Sequence, residues 1–225
     1  MKVFLPLLLT ALAAHLYGTP TLGTVSTTPT TAVVGTPTVI TVQASISDPS
    51  LIAGGANLLQ LNPNGTTTIL GTLHDDGLNG DAYAGDLIFT LQVTLNAPTS
   101  SQIQLQVSAA FKGLLQRVKS PVVNVFFQPA NAPQQSIAAL AQYLTLGNTG
   151  AASNYVGPSY RNSLGGLSQP GLNTLAAIIS AGVLVNSQND LRIFQSPFVA
   201  PDGTATTVEF SMVPGPNGQW VINSW

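Results

Sequence analysis

The spacing of apolar residues is the feature that most constrains the fold of this chain, because it changes from period two to period 3.6 and back again. Apolar and polar residues alternate in "VITVQASIS" (39–47), "LIFTLQVTL" (87–95) and "IQLQVSAAF" (103–111). Alternation places one face of a strand against a core and the other in solvent. Shorter runs, "NLLQLN", "TTTILGTL" and "SPVVNVFF", lie between turn residues and bring the total to about seven strands. The pattern predicts an all-β antiparallel sandwich over residues 19–128.

The Pro- and Gln-rich segment "QPANAPQQ" marks the change of period. After it, "SIAALAQYL" and "PGLNTLAAIISAG" carry apolar residues at helical spacing, with a short helical piece around 151–155. Alternation then returns in "VLVNS", "DLRIFQSPFV", "TTVEFSMVP" and "QWVINSW", which are joined by turn residues. Helices followed by a curved antiparallel sheet predict an α+β domain at 136–225. Residues 129–135 are then a linker between two halves that fold independently.

The first residues, "MKVFLPLLLTALAAHLYG", predict export. Lys2 precedes an apolar segment at 3–14 and small residues such as Ala11 and Ala13, as in a cleaved signal peptide at 1–18. The alternative is a buried N-terminal helix. The apolar segment is shorter than the roughly 20 residues that span a bilayer, and no later stretch is long and apolar enough to anchor the chain. We therefore expect a secreted or periplasmic protein without a transmembrane anchor.

The composition limits which partners the protein can bind and which reactions it can catalyse. Charged residues make up 6% of the chain, against roughly 25% in globular proteins. Six Lys and Arg residues spread over 225 positions cannot neutralise a run of phosphates, so nucleic-acid binding is not expected. The absence of cysteine excludes disulfides and thiolate metal sites. No G-x-S-x-G, H-E-x-x-H, Walker or dinucleotide motif occurs, which favours a non-catalytic protein whose partner is a protein, a glycan or a small molecule.

The stretch "DDGLNGDAYAGD" (75–86) holds four of the eight acidic residues. Calcium takes six to eight oxygen ligands, and the candidates in this stretch are Asp75, Asp76, Asn79, Asp81 and Asp86. The same aspartates could instead accept hydrogen bonds from nearby backbone amides and hold a series of turns. An acidic surface for a partner is a third interpretation. The spacing does not match an EF-hand loop, which closes with a late Glu.

His74 and the two tryptophans are further candidates. Beside Asp75, His74 could be a general base or a zinc ligand. However, a catalytic zinc needs about three protein ligands, and a base needs an oriented nucleophile, so we expect a polar histidine at a strand end. Trp220 and Trp225 lie in the last predicted strand, where packing is favoured over a carbohydrate platform.

Two motifs resemble known families. "LHDDGLNGDAYAGDLIFT" (73–90) resembles the D-D-G…G-D…A-G-D-G-[IV]-[YF] signature of immunoglobulin-like and fibronectin-type-III-like modules in exported bacterial proteins. It departs from the signature at Leu87, where the pattern usually has Gly. This resemblance implies an extracellular β-sandwich in which the stretch joins two strands, and it implies no activity.

The second resemblance covers about residues 135–225. The hairpin "PFVAPDGTATTVEFSMV" and the ending "NGQWVINSW" resemble the small cone-shaped domains of the nuclear transport factor two-like superfamily, in which a curved sheet wraps a helix. Catalytic members commonly carry an Asp and a His at the mouth of the cone, and this part of the chain has no His. The resemblance therefore implies a pocket without inherited catalytic residues.

Two classes of function follow. The first is an exported non-catalytic protein, in which the sandwich is a spacer or adhesion module and the cone binds a partner or ligand. The second is a cone-domain enzyme, an isomerase or hydrolase that uses Tyr, Asp and Arg groups. A buried Asp190 or Glu209 beside Arg161 or Tyr160 would favour the enzyme, because burial shifts the pKa values of catalytic groups.

Overall fold

The computed structural model describes residues 19–200 and 202–225. The predicted signal peptide at 1–18 lies outside the described residues. Over these residues the structure is mostly β, with several antiparallel sheets and four α-helices. Among the described residues, no helix has both the length and the apolar character that crossing a bilayer requires.

The N-terminal half, residues 19–128, contains a three-stranded and a six-stranded sheet that share one core. Its strands are β1 Val25–Thr28, β2 Thr31–Val33, β3 Thr38–Ser45, β4 Leu51–Leu61, β5 Thr67–Thr72, β6 Ile88–Leu95, β7 Ser101–Phe111, β8 Val118–Lys119 and β9 Val123–Gln128. The smaller sheet has the order β1-β3-β6, and the larger has the order β2-β9-β7-β4-β5 with β8 paired to β7. Ile40 and Val42 of β3 face Leu58, Leu105 and Val107 in this core, and all five are buried. The alternation in the sequence thus identifies the buried face of β3.

Two short strands at the start of this half were not expected from the sequence. β1 and β2 lie in a Thr- and Pro-rich segment that has no alternating apolar residues over the length of a strand. β2 pairs with β9 in parallel, so the prediction of a wholly antiparallel arrangement is wrong for this pair. The chain passes from the smaller sheet at β1 to the edge of the larger sheet at β2. This crossing brings Thr30 and Thr31 to the boundary with the C-terminal half.

The C-terminal half, residues 132–225, places its helices on a four-stranded antiparallel sheet in the order β10-β11-β12-β13. Its elements are α1 Ala132–Thr145, α2 Thr149–Ala152, a 3-10 turn Ser153–Tyr155, α3 Pro158–Gly165, α4 Gln169–Ser180, β10 Val183–Gln188, β11 Leu191–Val199, β12 Ala205–Pro214 and β13 Trp220–Ser224. Leu140 of α1 and Ile179 of α4 pack in a core with Phe194 and Phe210, whose rings stack at a centroid distance of 5.3 Å. The predicted order of helices and strands is confirmed. α3 was not predicted, because Leu164 is its only buried residue.

The connection between the halves is shorter than the predicted linker at 129–135. Helix α1 begins at Ala132, and Pro133 is buried in its first turn. Proline suits this position because the first helical N–H groups have no partner within the helix. Part of the segment that was predicted to be a linker is therefore the first turn of helix α1. Only residues 129–131 join β9 to α1.

Candidate functional site

The acidic loop at 75–87 connects β5 to β6 and is wound by residues with positive φ. Gly77, Gly80 and Gly85 have φ values of 71°, 95° and 80°, as the glycine-rich sequence predicts. Leu87 also has a positive φ, of 67°, at the position where the resembling signature usually has Gly. An L-residue pays a steric cost in this region, so Leu87 is a strained point at the entrance to β6.

Asp75 organises the end of this loop. Its Oδ1 accepts hydrogen bonds from the backbone N–H groups of Gly85 at 2.6 Å and Asp86 at 3.2 Å, and its Oδ2 accepts one from Leu87 at 3.0 Å. One carboxylate thereby satisfies three consecutive backbone donors. Such bonds to a charged acceptor are about twice as strong as neutral ones, so Asp75 fixes the turn that includes the strained Leu87.

The other aspartates of the loop also accept backbone N–H groups. Asp81 is buried, and its two oxygens accept from the Gly77 N–H at 2.7 Å and from the Thr90 hydroxyl at 3.4 Å. Asp76 accepts from Leu78, and Asp86 accepts from Ile88. These are the local turn contacts that the second interpretation of the sequence required.

Three of the five candidate calcium ligands converge. Asp75, Asp81 and Asp86 each place one carboxylate oxygen within 4.8 Å of the others, and oxygens around a calcium ion at 2.3–2.6 Å can be that far apart. Asp76 is not a member of this group, and Asn79 lines a neighbouring cavity. The three carboxylates fit part of a calcium shell. Main-chain carbonyls or water would have to complete it, because most of the carboxylate oxygens already accept hydrogen bonds.

His74, which was predicted at a strand end, lies two residues after β5 and forms an isolated β-bridge with Thr90. Its main chain exchanges hydrogen bonds with Thr90 at 3.0 and 2.7 Å, and its side chain is exposed. It lines a cavity of about 590 Å³ together with Asp76, Asn79 and Gln92. It is the only histidine of the described residues, and the chain has no cysteine. This residue set does not provide the ligands of a zinc site.

Asp190 joins the two halves, which sequence reasoning missed. Its Oδ2 accepts a hydrogen bond from the Thr30 N–H at 2.6 Å, and its Oδ1 accepts from the N–H and the hydroxyl of Thr31 at 3.1 and 2.9 Å. Asp190 lies in the turn between β10 and β11, and the sequence gives no signal for partners 159 and 160 positions away. Thr31 is buried, so this contact supplies a buried N–H with its acceptor.

A second contact between the halves involves the end of β9. The Gln128 amide donates to the main-chain carbonyl of Gly218, and its Oε1 accepts from the Trp220 indole N–H at 3.1 Å. Gly218 has a φ of 81°, and a Cβ there would lie 2.7 Å from the ring of Phe126. Trp220 is 2% exposed. It is a packing residue with a satisfied donor, as expected, and not an open platform for sugars.

Trp225 has a different environment from Trp220. It is 39% exposed, and its ring lies 6.1 Å from Tyr160 in an edge-on arrangement and 5.9 Å from Phe210. These contacts place Trp225 at the rim of the C-terminal core, in line with the predicted packing role.

A cavity of about 240 Å³ lies at this junction between the halves. Thr31 and Gln128 line it from the N-terminal half, and Asn189, Arg192 and Trp220 line it from the C-terminal half. The guanidinium carbon of Arg192 lies 4.7 Å from the centroid of the Trp220 ring, a cation–π contact. Burial lowers the pKa of Arg192, and the nearby negative charge of Asp190 opposes this shift. Arg192 stays cationic, because its ordinary pKa is far above neutral pH.

The arrangement that would favour an enzyme is not found among the described residues. Glu209 is exposed and accepts a hydrogen bond from the Gln195 amide at 3.1 Å. Asp190 is half-buried, but both of its oxygens are engaged by Thr30 and Thr31. Arg161 is exposed. The two acids thus take part in contacts that a structural role explains.

Comparison with known proteins adds no family to these observations: no protein-family model matches the sequence, and no curated protein matches it.

Proposed function

We propose that the chain is an exported, non-catalytic binding protein. An immunoglobulin-like sandwich, residues 19–128, holds a cone-shaped α+β domain, and the surface between the two receives a small molecule or a partner. The two sheets with a shared core and the helices placed on a four-stranded sheet support these two resemblances. The signal-like sequence at 1–18 supports export.

The proposal that the protein is not a catalyst depends on one observation, which is that every acidic side chain already accepts a hydrogen bond within the protein. All eight acidic residues accept hydrogen bonds within the described structure. The seven aspartates each accept from a backbone N–H, and they are Asp48, Asp75, Asp76, Asp81, Asp86, Asp190 and Asp202. Glu209 accepts from a glutamine amide. General acid–base catalysis needs a carboxyl group or a histidine that reaches a substrate proton, and these carboxylates stabilise turns and junctions instead.

The junction cavity is the proposed binding site. Ligand pockets often lie where two domains meet, and this one combines a cation, an indole and amide and hydroxyl groups from both halves. By comparison, the interior of the C-terminal half is filled by large side chains such as Phe194, Phe210 and Met212, all buried. Binding between the halves therefore requires no rearrangement of either core.

We also propose weak calcium binding at Asp75, Asp81 and Asp86. Their convergence within 4.8 Å places like charges together, and a divalent cation would relieve the repulsion. The missing late Glu and the many hydrogen bonds already formed favour an affinity typical of extracellular modules, with a dissociation constant of about 10⁻⁴–10⁻³ M.

One experiment tests both export and binding. The full chain, with residues 1–18, is expressed in a bacterial host, and the exported protein is purified without denaturation. Its intact mass should correspond to cleavage between residues 13 and 19. Small molecules released by heating are then identified by mass spectrometry and incubated again with fresh protein. A molecule that is retained and recovered unchanged supports a binding protein. Conversion of that molecule to a product would refute the non-catalytic function, and full-length chain in the cytoplasm would refute export.

A further inference from the structure

The guanidinium group of Arg192 has one side bound and one side available. Its Nη1 donates to the main-chain carbonyls of Asn189 at 2.7 Å and Leu191 at 2.9 Å. Within the part of the chain that the structure describes, no acceptor is found for its Nε or Nη2. These two nitrogens form the edge of the guanidinium that can donate two parallel hydrogen bonds. Arg192 lines the junction cavity.

The position of this group is fixed before any ligand binds. The two bonds to carbonyl oxygens hold one end of the guanidinium, and the face of Trp220 lies 4.7 Å from its central carbon. Trp220 is itself held by the bond from its indole N–H to Gln128. A planar cation that is held in this way loses little conformational entropy when it binds a ligand.

The local charges favour a single negative charge on the ligand. The nearest acidic side chain, Asp190, attracts Arg192, but its two oxygens accept hydrogen bonds from Thr30 and Thr31. A monoanion would satisfy the available edge of Arg192. A second negative charge would meet the field of Asp190 and would be unfavourable.

The walls of the cavity limit the rest of the ligand. Pro29, Pro129 and Pro133 supply apolar surface, and Thr36 and Asn189 supply polar groups. A volume of about 240 Å³ lies below the 300–1,000 Å³ typical of sites for drug-sized ligands. The occupant is therefore small, with a short apolar body.

We propose that the junction cavity binds a small monocarboxylate, whose carboxylate accepts two hydrogen bonds from Nε and Nη2 of Arg192. This inference rests on the proposed binding function and names its ligand class. A carboxylate matches the planar two-donor edge. Inorganic phosphate carries more than one negative charge near neutral pH, so it should bind less well than a monocarboxylate.

The test uses butyrate as probe and the indole N–H signals of the two tryptophans as readout. The ¹⁵N-labelled exported protein is titrated with butyrate at pH 7, and the two signals are assigned with Trp225→Phe. We expect a saturable shift of the Trp220 signal with a dissociation constant of about 1–10 mM, as suits a ligand of so few atoms. The Trp225 signal should stay in place, because Trp225 does not line this cavity. Butyramide, the neutral isostere, should cause no saturable shift.

Two matched variants test the role of Arg192. Arg192→Lys keeps the charge but loses the two-donor edge, and it should weaken butyrate binding at least tenfold. Arg161→Lys makes the same change at an exposed arginine of the same half, and it should bind like the wild type. Dispersed spectra of both variants verify their fold.

Three results would overturn the inference. They are no saturable shift with butyrate, equal binding by Arg192→Lys, and tighter binding of phosphate than of butyrate. If the first or the third occurs while the exported protein still retains another unchanged molecule, the proposed binding function stands and only the ligand class is wrong. Equal binding by Arg192→Lys leaves the binding function in place and shows that Arg192 does not hold the carboxylate. Conversion of a retained molecule to product refutes the non-catalytic function itself. The titration results then still decide whether the cavity binds a carboxylate.

Discussion

Replacing Asp190 by Ala removes the hydrogen bonds that hold the C-terminal half to the strand crossing in the N-terminal half. Three bonds are lost, two from backbone N–H groups and one from the Thr31 hydroxyl. Thr31 is buried and Thr30 is half-buried, so solvent can replace the lost acceptor only in part. The expected result is a large loss of stability for a residue in a surface turn.

The magnitude follows from the geometry of the contact. A hydrogen bond to a charged group contributes about 1.5–3 kcal/mol, and a buried donor left without an acceptor costs about 1–3 kcal/mol. Asp190 is only half-buried, so we use the lower limit of about 1 kcal/mol for each of the three donors that lose their acceptor. The expected loss from the free energy of unfolding is then about 3 kcal/mol. Asp190→Asn should cost about half as much, because its carbonyl oxygen can still accept from Thr31 while its NH₂ group faces the Thr30 N–H.

Urea denaturation, followed by tryptophan fluorescence and by circular dichroism, measures this loss. A loss of 3 kcal/mol corresponds to a melting temperature lower by about 6–12 °C for a chain of this size. Asp202→Ala is the matched control, because Asp202 also accepts backbone N–H bonds in a turn of the same sheet, but only locally, from Thr204. We expect that control to cost less than about 1 kcal/mol. If Asp190→Ala cost no more than Asp202→Ala, the contact between the halves would contribute nothing to stability.

Four further predictions concern single positions. Leu87→Gly should raise the free energy of unfolding by about 0.5–1 kcal/mol, measured by urea denaturation, because it relieves a φ of 67° at a half-exposed side chain. Gly218→Ala should lower it by about 2–4 kcal/mol, because a Cβ would strain a φ of 81° and meet Phe126; an unchanged midpoint would contradict the tight contact. Saturating calcium should raise the melting temperature of the wild type by about 3–5 °C, and Asp86→Asn, which keeps the turn acceptor, should abolish this rise; equal melting of the wild type with calcium and with chelator would leave only the turns. Hydrogen bonds from the side chain and then the backbone of Ser50 lower the pKa of Asp48, so its contribution to stability is present above its unfolded pKa of about 4 and is lost as the pH falls through the folded value; acid titration of Asp48→Asn should show a shallower loss in that range.

The regular elements could be predicted from the sequence because their signals are local. In β3, every second residue from Ile40 to Ala44 is buried, as the alternation requires. The helices α1 and α4 were found by the spacing of residues such as Leu140 and Ile179, both fully buried. In each case the pattern that buries the residue lies within a few positions of it.

The elements that were missed lack this local signal. β2 has three residues and depends on pairing with β9, about 95 positions later in the chain, which is a tertiary effect that overrides propensity. α3 is polar on most of its surface and buries Leu164 alone. The junction contacts of Asp190 and Gln128 are likewise long-range. Sequence patterns identify which surface is apolar, but they do not identify which two distant polar groups meet.

The acidic loop shows why the choice between an ion and turns could not be made from residue types. Calcium and a backbone N–H both seek carboxylate oxygen, so the same run of aspartates predicts either. The structure adds that every aspartate accepts a backbone N–H, including those far from the loop such as Asp48 and Asp202. A protein with 6% charged residues thus uses its negative charges chiefly as strong local acceptors, in places where Ser or Asn would form weaker bonds.

The small number of charged residues also affects the electrostatics of the junction between the halves. Because the remaining surface carries few charges, the field around Arg192 is set by two nearby groups, Asp190 and Trp220, and hardly by distant residues. A ligand in the cavity would therefore respond to the geometry of the contact that joins the two halves. Loosening that contact at Asp190 would move Arg192 relative to Thr31 and Gln128, since these residues line the cavity from opposite halves. Where the charge of Asp190 is kept, stability of the junction and affinity for a carboxylate should accordingly change together, even though Asp190 itself contacts no ligand.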